Sequence, residues 1–189
     1  MKISSFVYIA GFLALSLLGA GCSGFRSGNV PTTKQLHAMN DTTWRKAIKD
    51  RDALVPRVEP TKEEQEKAAS AMREIVGTGT PERVANFVRA FDEVSGSARL
   101  VHLGNKWYVA LSDDFSVVAG PDQHVFISQN LAPTTRGALG ADDIDAGAIL
   151  SSHGGQTYEL PNEFDVTNAK SVVIYSPTFE AVYGVAAFR

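Results

Sequence analysis

Histidines, a serine pair and a run of acids are the side chains in this sequence with chemistry to offer. The histidines are His37, His102, His124 and His153, and the 189 residues contain no others. His124 follows a Gly-Pro-Asp turn and His153 sits in a glycine-rich stretch. A pair of histidines could ligate haem or a metal. No two of these fall at metal-ligand spacing, and the plainer reading is solvent-facing or singly hydrogen-bonded groups. Ser151, Ser152 and His153 carry the residue types of a hydrolase. They lack a Gly-x-Ser-x-Gly elbow, and they adjoin in sequence instead of converging from separate elements. The acidic stretch "DDIDAG" at 142–147 is a fragment of a calcium-loop pattern. The ladder of oxygen ligands and the closing glutamate are missing, so it reads as a polar loop. No catalytic residue, metal or cofactor is expected, and the chain is not expected to be an enzyme.

Cys22 is the single cysteine. It ends the apolar run "FVYIAGFLALSLLGAG" at 6–21, which follows Lys2 and is too short for a comfortable transmembrane helix. "LLGAGC" resembles a bacterial lipoprotein signal, with Gly19, Ala20 and Gly21 before the cysteine. The resemblance implies cleavage before Cys22 and acylation there, and several acyl chains give stable membrane anchoring. An uncleaved anchor and an ordinary secretory signal are the alternatives. Ser23 after the cysteine points to the outer membrane, facing the periplasm, if the cell has two membranes. Once Cys22 is acylated, no thiol remains for a disulfide, a metal or a nucleophile. Formal net charge is −3, with no basic cluster, which argues against nucleic acid.

Around these residues the chain divides into four parts. Residues 1–21 are the leader, 22–59 a tether with a short helix, 60–83 a helical segment and 84–189 a β domain expected to hold its own core. "NDTTWRKAIKD" at 40–50 is the short helix, capped by Asn40 or Asp41, with Trp44 and Ile48 one turn apart. Trp44 reads as a packing anchor for the helical region. "PTKEEQEKAASAMREIVGTG" at 60–79 is the clearest helix. Thr61 and Glu64 form a capping-box pattern, Ala68, Met72 and Ile75 a thin apolar stripe, and Gly77 the stop. "TPERVANF" at 80–87 has Thr-Pro at a helix start and suggests a further short helix. From about residue 88 the period shifts from 3.6 toward 2. Gly104-Asn105 between alternating segments signals a hairpin. "HVFIS", "QTYEL", "SVVIYS" and "AVYGVAAF" are further short strands, broken by Gly, Pro, Asn and Asp. Many short strands without intervening helices predict an all-β antiparallel sandwich or barrel-like domain. The last two should pair at its centre, and Gly184 suggests a bulge.

The segments "GPDQHVFIS", "GGQTYELP" and "KSVVIYSPTFEAVYGVAAF", with weaker support from "SGSARLVHL" and "DDFSVVAGPD", resemble the DM-thirteen domain. That family is described as an electron-transfer module and often stands beside haem-binding domains. The resemblance implies one redox residue, a cysteine in the penultimate strand within the pattern aromatic-Cys-x-x-Phe. Here the pattern reads Tyr175-Ser176-Pro177-Thr178-Phe179. A serine hydroxyl forms no disulfide and does not cycle through thiol oxidation. Ser176 is expected to bond a backbone group at the turn that follows it. His124, His153 and Tyr175 are the candidate ligand-binding residues. The leading expectation is a lipid-anchored envelope protein whose β domain binds an envelope protein or redox partner. The alternatives are an electron-transfer accessory domain working with a bound cofactor, and a carrier of haem or sugar.

Overall fold

The structure, a computed structural model, describes residues 33–54, 57–162 and 164–189. Cys22 and the expected leader lie outside the described residues, as do the first part of the expected tether, up to residue 32, and residues 55–56. Three α-helices come first: α1 (Thr33–Ala38), α2 (Asp41–Leu54) and α3 (Lys62–Thr78). No described helix is long and apolar enough to cross a membrane. Asn40 caps α2, its Oδ1 accepting from the Thr43 amide at 2.9 Å. The Thr61–Glu64 capping box is formed as expected. α3 runs on past Gly77 to Thr78, and Gly79 closes it by donating its N–H to the Ile75 carbonyl.

Ten strands follow. They are β1 (Thr80–Arg89), β2 (Val94–Ser95), β3 (Ser97–Leu103), β4 (Lys106–Leu111), β5 (Ser116–Val117), β6 (His124–Ser128), β7 (Ile144–Ala148), β8 (Gln156–Glu159), β9 (Ser171–Ser176) and β10 (Ala181–Ala187). Eight of them form one antiparallel sheet in the order β7-β6-β9-β10-β1-β3-β4-β8, and β2 pairs with β5 beside it. The sheet curls until its edge strands approach. Gly147 of β7 faces the Tyr158 ring of β8, where a Cβ would lie 3.7 Å from the ring. The fold is therefore all-β and nearly closed into a barrel, with helices added on its outside.

Strand parity builds the core. Val172 and Ile174 of β9 point inward with Val125 and Ile127 of β6, Leu100, Val109, Tyr158 and Leu160. Val173 and Tyr175 point outward into a second cluster with Val182 and Val185, covered by Phe126 and Leu139. This double covering explains why every residue of β9 is buried. β9 and β10 pair antiparallel near the middle of the sheet, with a register shift between Val182 and Gly184. A Cβ at Gly184 would come within 2.5 Å of Val94, so the bulge lets β2 approach closely. Gly104, at φ 65°, makes the tight β3–β4 turn.

Three expectations are corrected. Residues 80–87 are strand, not helix. Ala85 and Phe87 alternate with exposed Val84 and Val88, and β3 and β10 both need a partner between them. Pro81 is accommodated where the register shifts, a position that asks for no ladder N–H. Residues 144–148 are strand β7, not loop, because β6 bonds outward to them. Finally, the main core is not confined to 84–189. Trp44 and Ile48 of α2 are 5% and 1% exposed and belong to it.

Candidate functional site at the covered end of the barrel

Ser176 ends β9 at one end of the barrel, where the Pro177–Glu180 turn leads into β10. It lies two residues beyond Ile174, so its side chain shares the inward face. The serine is fully buried and its Oγ has no hydrogen-bond partner. The expected bond to a turn backbone group is thus not made, because strand parity turns the hydroxyl away from the turn. Gln123, just before β6, is also inside at 1% exposure. Its Nε2 donates to the Val118 carbonyl at 2.9 Å, while its Oε1 is unpartnered. Tyr183 completes this end. Its phenol fills the space a side chain on Gly120 would need.

α2 covers this end. The Trp44 Nε1–H donates to the Phe179 carbonyl at 2.8 Å. Trp44 meets Phe91 edge-on at 5.2 Å between centroids, and Phe91 meets Tyr183 at 5.2 Å. Arg45 lies over Phe91 at 4.7 Å and donates to its carbonyl. Trp44 is a packing anchor as expected, but it anchors α2 to the barrel rather than to its helical neighbours.

Outside the same end, a clasp ties three segments together. Asp122, at φ 53° in the turn before β6, accepts from the Thr178 amide at 3.2 Å and from the Thr178 hydroxyl. His124 sits between carboxylates, Nδ1 at 2.9 Å from Asp145 of β7 and Nε2 at 3.3 Å from Asp122. Both ring nitrogens are therefore occupied by protein groups. Tyr175 is the cross-strand neighbour of His124, packed edge-on against Phe126. Burial, with Glu180 and Asp143 nearby, pushes its phenol up to about 12, so it stays protonated at neutral pH. The structure thus brings His124 and Tyr175 together. Sequence reasoning missed Asp145 and Gln123: Asp145 is 21 positions from His124, and only the β6–β7 register joins them.

His153 is placed elsewhere, bridged to Ser116 and lining a cleft with Arg89 and Val94. Ser152 Oγ lies 2.7 Å from its Nδ1. The Ser152 amide and the Ser151 hydroxyl both turn to Glu59, at 2.9 and 3.1 Å. Burial opposes the charge on Glu59, but the Ser152 amide, both serine hydroxyls and Arg57 outweigh it and hold the carboxyl below its ordinary range. The cluster fastens the segment before α3 to the barrel. His102 stacks on Trp107 at 4.6 Å, and His37 lies in α1. Asp143 accepts from the amides of Gln129 and Gly140, making a loop brace of the acidic run. Among the described residues no three His, Cys, Asp or Glu side chains stand together as a metal site.

Neither the curated proteins nor the solved structures contain a match to this chain. A family model does match, described as Electron transfer DM13, over residues 86–188. The match begins inside β1 and ends just after β10, so it takes in the clasp, Ser176 and the sheet except the first half of β1, and leaves α2 and α3 outside. The chain belongs to the Electron transfer DM13 family.

Proposed function

We propose that this protein is a membrane-anchored accessory module of its electron-transfer family that acts by binding a partner, not through redox chemistry of its own side chains. The observation that carries this is Ser176, a buried hydroxyl in the position where the family resemblance expects a cysteine. The single cysteine, Cys22, closes the leader and is the proposed lipid attachment site. Acylated, it leaves no thiol. Catalysis finds no support in the remaining chemistry: both His124 nitrogens are occupied, and the Ser152–His153 contact has no carboxylate on the far side of the ring among the hydrogen bonds and ion pairs described.

The test is voltammetry and thiol titration of cofactor-free mature protein. Neither a reversible wave nor a titratable thiol is expected, and a clear couple would overturn the reading. Anchoring is tested separately by metabolic labelling with a fatty acid, which should mark the wild type and miss Cys22→Ala. The proposed location is the cell envelope, on the outer membrane facing the periplasm if two membranes are present. The family description supports a second reading, an electron-transfer domain that works with a bound cofactor. A visible absorption band in protein purified from its native membrane would favour that one.

A further inference from the structure

α3 does not lie flush on the barrel. It contacts the outer face of β3 and β4 through Met72, Ile75 and Val76 around Val101 and Ala110. Between helix and sheet it leaves a cleft of about 280 Å³. Met72, Val76 and Gly77 line it from the helix, and Ala110 and Arg99 from the sheet.

The charges of this cleft do not cancel. Arg73 at the rim is held by Glu66 and, at 3.0 Å, by Asp113. Ser112 is also engaged, accepting from the Ser97 amide and donating to Asp114. Arg99 is different. It is half-buried, and among the described residues its guanidinium has no hydrogen bond or ion pair. Its neighbours across the strands are Ala110 and Val84, which offer nothing polar. A guanidinium is always charged and presents a planar fork that fits a carboxylate. Burial of an unpaired cation is unfavourable unless a counter-charge arrives.

We propose that this cleft binds a small organic monocarboxylate with an aliphatic body. The carboxylate would meet Arg99, and the chain would lie along Met72, Val76 and Ala110. One unbalanced cation matches one negative charge, whereas a phosphate monoester brings up to two. The other polar groups of the lining, Arg73, Asp113 and Ser112, already bond within the protein, so the rest of the ligand meets the apolar walls. The site does not involve Ser176 and does not depend on the proposed binding role of the barrel end.

Gly77 supplies a clean test. It faces the cleft, and a Cβ there meets nothing within 4 Å. Gly77→Leu therefore adds an aliphatic side chain beside the cleft without a clash while improving the helix propensity of α3. Isotope-labelled full chain is titrated with octanoate, and the amide signals of Met72, Gly77, Arg99 and Ala110 are followed. Saturable shifts are expected with octanoate and none with octylammonium. Arg99→Gln should weaken binding by about tenfold or more, the scale of a lost charged hydrogen bond. Gly77→Leu should abolish the shifts without lowering the melting temperature. The proposal is overturned if octylammonium binds equally well, if Arg99→Gln binds like wild type, or if only an acidic peptide shifts these signals.

Discussion

The two long helices meet the same barrel in different ways. α2 sends Trp44 and Ile48 into the main core and seals the end where β9 turns into β10. α3 buries Ala69 and Met72 on the outside and leaves a cleft beside an unpaired arginine. Both lie before the region matched by the family model. The difference lies in what each helix finds. α2 meets an open end, where large apolar side chains continue the interior. α3 meets the outward face of a sheet whose inward face is already packed, so a thin stripe is sufficient to hold it. One helix completes a core and the other adds a layer.

Truncating each anchor tests this contrast. Trp44→Ala should cost about 3–5 kcal/mol, as large aromatic deletions from cores do. It also strips the Phe179 carbonyl of its donor. Met72→Ala should cost about 2 kcal/mol, at the low end for such deletions, because the adjoining cleft lets the site collapse. Denaturant unfolding of both variants checks the order. Equal losses would remove the distinction between core and layer.

Weaker effects sharpen it. Ser176→Ala removes a buried hydroxyl with no partner, beneath the end that α2 covers. Its loss should be neutral or stabilising by up to about 1 kcal/mol, since only the burial of the polar group is relieved. A marked loss of stability would mean that the hydroxyl is bonded after all. The smallest effect belongs to Glu59, which fastens the lead-in to α3. Its carboxyl is held below the ordinary value of 4.5 in the folded chain. That contribution is present above the unfolded value and is lost as pH falls through the folded one. The melting-temperature gap between wild type and Glu59→Gln should therefore close in acid below the ordinary carboxylate range. Most of the group is solvated, so the gap at neutral pH should be small.

Much of the barrel is visible in the sequence because its strands alternate. The parity of 125–127 and 172–175, the Gly104-Asn105 hairpin and the irregularity at Gly184 all follow from local pattern and turn chemistry. β1 escapes because Val84 and Val88, four apart, also fit a helical stripe, and Thr-Pro opens like a helix. In the strand both valines face outward, at 59% and 69% exposure. β7 escapes because an edge strand with a glycine needs only half an apolar pattern. At the site, the position of Ser176 is legible and its environment is not. A serine before a proline suggests a turn bond, yet the parity of β9 sends it inward with Ile174. The clasp around His124 and the apolar neighbours of Arg99 depend on register between distant segments, which no local pattern encodes.

The near closure of the sheet has one more consequence. An open β-sheet presents two rows of unpaired amides and carbonyls, which recruit other chains edge to edge. Here the two edge strands are turned toward each other. Gly147 lets β7 lie close to Tyr158 of β8, and that phenol oxygen accepts from the Leu150 amide just beyond β7. The glycine that weakens β7 as a strand thus removes an adhesive border from the molecule. At φ 129° a side chain at that position would strain β7 along the seam, and the first sign of damage should be self-association on warming rather than a lower melting point.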